Sequence, residues 1–494
     1  MQDETHLTKK NSSWLVIIVA IYIIRSFSWF SAELWYDEVL TLTRFVLNPN
    51  DPSLLNVFRD YPIANNHILS TAIYWCWTRI VGLPDESLLR LPSICLGIGT
   101  IVLIVRHWRH FLGDKLAVIG GFIFAISPVF TAYAYQIRGY SLTFFLATLA
   151  VSGALELSRD SKAKRAQAML FFSSLLLPLV IPTNAMLALP LATLIVADAR
   201  SRQLSWRQSL LSSLPCLAGF ALGAGYYLTI FDQLKRVLAE PDGWSSCWLV
   251  IGNLVLALIA HAIVLPLAFF KHPKAADCGV RRMAPLAWTG LAVLCTVGLM
   301  LLLSRSGHAP FPRVFLVLLP MVSVLILLAI KENKHQDIIP FTTLAVVILL
   351  NGLLWERFAD NYTRLQLKKN VVPDNLLQQY YRGQDELRAI ARHNDHDMEN
   401  WFVVTDAYDI MTFRFYWVTR GLPAGQTAGD NEFPEGFWNK INHDNLKLRV
   451  VAKSPQKAAE IFQKAGFGSK NQLLDKLVCI PGIGKPIRAV YAIE

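Results

Sequence analysis

Two adjacent carboxylates, Asp37 and Glu38, stand beside Trp35 and Tyr36 in the stretch SAELWYDEVLTL (residues 31–42), directly after the first long apolar segment. A carboxylate at the edge of a low-dielectric layer can have its pKa raised and can take the proton of an attacking hydroxyl as a general base. By itself the pair reads first as a solvated acidic turn at a helix end, so a catalytic reading needs partners. Arg138, in QIRGYS, is one candidate, because a guanidinium matches the geometry of a phosphate. It also reads as an interfacial arginine reaching toward lipid headgroups. That second reading comes first for Arg25 and for Arg313 of FPRVF, although Arg313 is a possible further phosphate ligand. Asn65, Asn66 and His67 open the segment HILSTAIYWCWTRIVG, where Asn66 is suited to cap a helix. His67, Asn66 and Tyr140, the neighbour of Arg138, are the candidates for an acceptor or loop pocket. His261 lies alone inside an apolar run and reads as a packing residue. PGIGKP (481–486) lacks the G-x-x-x-x-G-K-[ST] spacing of a phosphate loop and reads as a hairpin turn.

The elements that must carry these residues are set by composition. Of 494 residues, 53% are hydrophobic and 17% charged, with a mean hydropathy of +0.37, well away from a soluble domain. Apolar runs near the ~20 residues needed to cross a bilayer recur from Trp14 to about residue 355. The predicted spans are 14–32, 87–106, 116–134, 141–158, 167–183, 186–198, 208–230, 247–270, 284–303, 314–330 and 338–355. The first is read as a retained helix, since no small-residue cleavage site follows it. Residues 67–82 are read as lying along the outer surface. If they spanned, the basic loops with Arg106, Arg109, Lys115 and with Arg159, Lys162, Lys164, Arg165 would face outward, against the positive-inside tendency. Eleven spans then put the N-terminus inside and a loop of about fifty residues (33–86) outside. VLTLTRFV in that loop carries Val39, Leu42 and Val46 at helical spacing and is expected to be a second membrane-hugging helix. The net charge of +11 follows this topology and gives no reason to expect nucleic acid.

From Glu356 to Glu494 no run is long enough to span, and charges, Asn and Gln are frequent. The expected division is a transmembrane body (1–355) and a soluble α/β domain (356–494). In that tail QDELRAIARHN and SPQKAAEIFQKAG read as helices and WFVVTD as a buried strand. KLVCIPGIGKPIRAVYAI reads as two strands about a turn. The seven cysteines show no C-x-x-C or His-rich spacing, so neither a zinc site nor a disulfide framework is indicated.

Taken in order, WYDEVLTL, NNHILSTAIYWCWTRIVG, DESLLRLPS and SPVFTAYAYQIRGYSLTFFLATLA resemble the integral membrane glycosyltransferases with a GT-C fold. The likeness is strongest to the family 39 group of protein O-mannosyltransferases and lipid A aminoarabinose transferases. It is good over about residues 14–160, general beyond, and absent in the tail. The resemblance implies a polytopic helical membrane protein that moves a sugar, with inversion, from a polyprenyl-phosphate donor to a lipid, glycan or protein acceptor. The reaction would take place on the extracytoplasmic face of a plasma membrane, the inner membrane in a bacterium. It assigns Asp37 as the base, Glu38 as its acidic neighbour and Arg138 as the cation near the donor phosphate. His67 takes the place of the His of an H-P-P opening, whose prolines are Ile68 and Leu69 here. A divalent metal is used by some relatives and not by others. The competing reading, a transporter or lipid flippase, calls for ionisable residues and broken helices near mid-membrane, often in repeated halves. No such pattern is present. A scaffold anchored by the body is a third reading, but it needs far fewer spans.

Overall fold

The computed structural model describes residues 2–30, 34, 36–47, 53–61, 66–82, 85–160, 163–239, 278–303, 312–331, 387–393, 396–406, 409–431, 441, 445–485 and 488–493. The predicted spans 247–270 and 338–355, His261 and the expected boundary at 355/356 lie outside them. The chain divides into two compact units. One comprises Met1–Ser31, Ser53–Ile80 and Ser87–Asn370; the other joins Ala32–Pro52 and Val81–Glu86 to Val371–Glu494.

The first unit is helical. Among the described residues, Leu91–Leu112, Tyr140–Leu157, Pro182–Ser201, Trp206–Arg236 and Val314–Lys331 are long and apolar enough to cross a membrane. They coincide with five of the predicted spans, and the chain is an integral membrane protein. The first predicted span falls mostly in the helix Gln2–Phe30 and the one at 284–303 within Cys278–Leu303, while the one at 167–183 is helical as far as Val180, where the extended Ile181 ends Lys164–Val180. The stretch 116–134 is not one helix. It breaks into Asp114–Ile126 and Pro128–Ala134 at Ser127, whose backbone is extended (φ −63°, ψ 120°). A residue before proline avoids helical dihedrals, and the Ser127 hydroxyl caps the new helix by accepting from the Phe130 N–H at 3.3 Å.

Tyr140–Leu157 is buried on nearly every side and packs against Leu91–His107, Lys164–Val180 and Val314–Lys331. Its polar groups find partners inside the protein. Ser152 accepts from Trp108 Nε1 at 3.0 Å, and Thr143 Oγ1 from Asn184 Nδ2 at 2.9 Å. Lys164–Val180 and Trp206–Gly225 approach closely through Gly219 and Gly223, where an added Cβ would strike the Phe171 and Leu175 carbonyls. Small residues four apart are how membrane helices bring backbones together.

Ile68–Val81 has 14 residues, about 21 Å of helix against ~30 Å of hydrocarbon. Ile68, Thr71, Tyr74 and Thr78 form its buried face, while Cys76, Arg79 and Ile80 are exposed. Arg79 lies over the Trp75 ring at 4.5 Å.

The second unit contains a five-stranded sheet of order β2-β1-β3-β5-β4, with β1 Trp401–Thr405, β2 Thr427–Gly429, β3 Lys447–Ala452, β4 Leu477–Lys485 and β5 Arg488–Ile493. β1 runs parallel to β2 and β3, whereas β5 is antiparallel to β3 and to β4. WFVVTD thus supplies an interior strand, flanked by β2 and β3 and buried from Trp401 to Thr405. SPQKAAEIFQKAG forms the helix Pro455–Lys464, its Ser454 hydroxyl accepting from Lys457 N–H at 3.2 Å. β4 and β5 pair antiparallel as expected, Lys485 opposite Arg488, but residues 481–485, expected to form the turn, belong to β4.

Candidate active site

In the first unit the site is built on a turn. The chain leaves the helix Pro128–Ala134, turns through residues 135–139, and enters Tyr140–Leu157. Arg138, 2% exposed, points back from this turn, with one guanidinium nitrogen (Nη2) 3.2 Å from His67 Nε2. The next residue, Gly139, donates its backbone N–H to His67 Nδ1 at 2.7 Å. A Cβ at 139 would fall 2.6 Å from Val180 Cγ1 and 2.8 Å from His67 Nδ1, so the glycine is what lets the imidazole seat on the turn.

Because a backbone N–H only donates, Nδ1 must present its lone pair, and the proton of a neutral His67 sits on Nε2. Nε2–H and the guanidinium are then both donors. Converging donors of this kind suit an anionic oxygen. Tyr140 completes the wall: its ring lies edge-to-face to His67 with centroids 5.3 Å apart, and Arg138 is 5.9 Å from its centre. Tyr133 stacks behind it at 4.9 Å.

Tyr61, which the sequence reading passed over, belongs to the same neighbourhood. Burial pushes its phenol up to about 12, and the Arg138 charge works against that rise. Its backbone N–H donates to Gln233 Oε1 at 2.7 Å, and its ring meets Tyr227 edge-on at 5.9 Å. Asn66 has a different job from the helix cap expected of it. Both amide protons go to the carbonyls of Val57 and Asp60, each at 2.9 Å. The amide therefore closes the loop that follows the helix Leu54–Arg59 and does not cap Ile68–Val81.

Arg90 is a second buried cation that sequence reading did not single out. It lies within the quoted DESLLRLPS, donates to the Phe30 carbonyl at 3.1 Å and covers the Tyr135 ring at 5.1 Å. Ser93, three residues on, donates to the Gln136 carbonyl at 2.6 Å and bonds the Tyr74 hydroxyl. These contacts fix the turn that carries Arg138.

Asp37 and Glu38 are carried by the second unit, in the first turn of the short helix Tyr36–Leu40. Glu38 is fully buried and Asp37 half-buried, which leaves Asp37 the more accessible carboxylate. The chain continues as a wide π-type turn, Thr41–Val46. Its apolar positions do not lie open for a membrane: Val39, Leu42 and Val46 are all 0% exposed, and the turn packs on the helix Tyr36–Leu40, which itself packs against Ile410–Thr419. Arg313 stands in the 3-10 helix Pro312–Leu318, and its side chain lies outside the described residues.

The first unit, taken by itself, can offer a two-donor anion cradle, and the second, taken by itself, an accessible carboxylate. A divalent metal would need a set of carboxylate or imidazole ligands. Among the described residues no three His, Cys, Asp or Glu side chains gather in that way, and His67 turns Nδ1 to an N–H and Nε2 to a guanidinium.

Spanning helices, a short amphipathic helix on the first long loop, and polar groups collected at helix ends are the parts of the GT-C fold. The sequence matches no known family profile and no curated protein, but its fold is found in a solved structure. ArnT from Cupriavidus metallidurans in the apo state superposes with a TM-score of 0.57 at 12% identity, covering 97% of this chain and 98% of that one. The same protein bound to undecaprenyl phosphate gives 0.54 at 12% identity over the same shares. A looser likeness, TM-score 0.41 at 15% identity, covers 98% of this chain and 74% of an Archaeoglobus fulgidus oligosaccharyltransferase tethered with an acceptor peptide. The chain has the GT-C fold expected from its early segments.

Proposed function

We propose that this protein is an inverting glycosyltransferase that takes a sugar from a polyprenyl-phosphate donor and passes it to an acceptor hydroxyl on the extracytoplasmic face of the membrane. The observation that carries the reading is the buried Arg138–His67 pair on its glycine turn, in a fold shared with a protein crystallised with undecaprenyl phosphate.

In this reaction the acceptor oxygen attacks the anomeric carbon from the face opposite the phosphate. Asp37 takes the hydroxyl proton, the new C–O bond forms as the bond to the phosphate oxygen breaks, and negative charge grows on the departing phosphate. Arg138 and the Nε2–H of His67 donate to that oxygen, with Arg313 as a further cation. Tyr140 and Tyr61 keep water from the pair. General-base assistance is worth ~10² to 10⁴ in rate, and donors fixed in place before the charge develops contribute on a similar scale. The orientation that suits this chemistry is the eleven-span one, with N-terminus cytoplasmic and tail extracytoplasmic.

The test is transfer by membranes carrying Asp37→Asn or Arg138→Ala, read by mass spectrometry of envelope lipids and glycans beside a strain lacking the protein. A product that disappears with the protein should fall at least ~100-fold in each variant. Wild-type product from both variants, correctly inserted, would remove the catalytic assignment.

A further inference from the structure

The segment that carries Asp37 is held by the tail. Leu34, three residues before Asp37, donates its backbone N–H to the hydroxyl of Tyr416 at 2.9 Å, across 382 residues of sequence. Both residues are fully buried. The helix that follows has five residues, little more than one turn, and a helix so short has no stability of its own in water. Its orientation must come from what it packs against, and that is Ile410–Thr419, the helix of Tyr416.

Tyr416 is in turn fixed from behind. The Arg392 guanidinium lies 5.1 Å from its ring centre. Arg392 and Arg388 both reach the Glu86 carboxylate, at 3.6 and 3.2 Å, and Glu86 is buried. Three separated pieces of chain, residues 32–52, 81–86 and the tail, group into one unit, with Tyr416 holding Leu34 and the Arg388–Arg392 pair holding Glu86.

We infer that Tyr416 is a positioning residue for Asp37, and that the tail is a working part of the catalytic apparatus and not a cover. The inference rests on Asp37 being the base. Its physical content is narrow: the Tyr416 hydroxyl sets the backbone at Leu34, and the backbone at Leu34 sets the entry and direction of the acidic turn. An error of about 1 Å in a reacting group is enough to cost a large factor in rate.

The experiment is Tyr416→Phe in the full-length protein, which keeps the ring, its packing and its cation–π contact and deletes only the acceptor. Two readouts are taken together. Hydrogen exchange of the peptide covering residues 33–42 should quicken, with β1 and β3 unchanged. Turnover should fall about tenfold at unchanged KM for the donor, in keeping with the loss of one buried hydrogen bond. Glu86→Gln, which loosens Arg392 behind the ring, should move both readouts the same way by less. Unchanged exchange at residues 33–42 overturns the contact. Quickened exchange with wild-type turnover overturns the positioning role, as does a loss confined to KM. Full activity of Asp37→Asn is separate: it removes the base and with it the catalytic half of the inference, while the exchange result continues to report the contact.

Discussion

Tyr61 shows how a residue without any motif enters a site. It sits in a loop of unremarked sequence, yet burial beside Arg138 raises its phenol to about 12. Below the ordinary tyrosine value near 10, folded and unfolded chains both keep the proton and the full stability is present. As the pH rises toward 12 the unfolded chain releases its proton first, so stability is lost across that window. Tyr61→Phe should flatten this decline, by up to about 3 kcal/mol, in thermal melts of purified protein between pH 9 and 12. An identical slope in both proteins would contradict it. His67, Arg138, Asp37 and Glu38 could be picked out from sequence because their groups are chemically conspicuous and lie near predicted span ends. Tyr61 and Tyr416 could not, since a tyrosine declares a role only through the partner that folding brings to it, 382 residues away in the case of Leu34 and Tyr416.

Elements were legible where one local rule acted and were misread where two competed. Apolar length located Tyr140–Leu157 and Val314–Lys331 closely, an unbroken apolar run located β1, and capping located Pro455–Lys464. The stretch 116–134 has enough apolar length for one helix, but Ser127–Pro128 inside it imposes an extended residue and a new cap. Helical spacing correctly made VLTLTRFV helical; burial of its apolar face within the protein was not contained in that spacing. Pairing of helices was likewise unreadable in advance, although Gly219 and Gly223 stood at the right separation. A side chain at Gly223 would meet the Leu175 carbonyl. Gly223→Val should therefore lower the stability of detergent-solubilised protein by about 1–3 kcal/mol or more, seen as a reduced Tm. An unshifted Tm would mean that the two helices are not held at this distance.

For the molecule as a whole, the sequence predicts orientation through its loop charges. A cysteine replacing Lys115 in a cysteine-free background should resist a membrane-impermeant maleimide until the membrane is opened. Labelling in intact cells would overturn the eleven-span orientation and the placement of Arg138 beyond the outer leaflet. A simple cut between body and tail does not describe the grouping of the chain: residues 32–52 and 81–86, both from the early loop, are joined to the tail. The acidic pair is thereby separated from its sequence neighbours and made part of a unit whose sheet lies at the other end of the chain.

Sequence alone determined that the chain is embedded in a membrane, because transfer of apolar and charged groups is additive along a chain and can be summed window by window. It also determined the early segments by which the GT-C fold is recognised. Tertiary structure alone decided which donors meet. The seating of His67 on the Gly139 N–H depends on a turn with no room for a Cβ, and the hold of Tyr416 on Leu34 depends on two segments that only folding makes adjacent. Contacts of that kind are set by closure of long loops and by packing, and neither leaves a period or a spacing to be read.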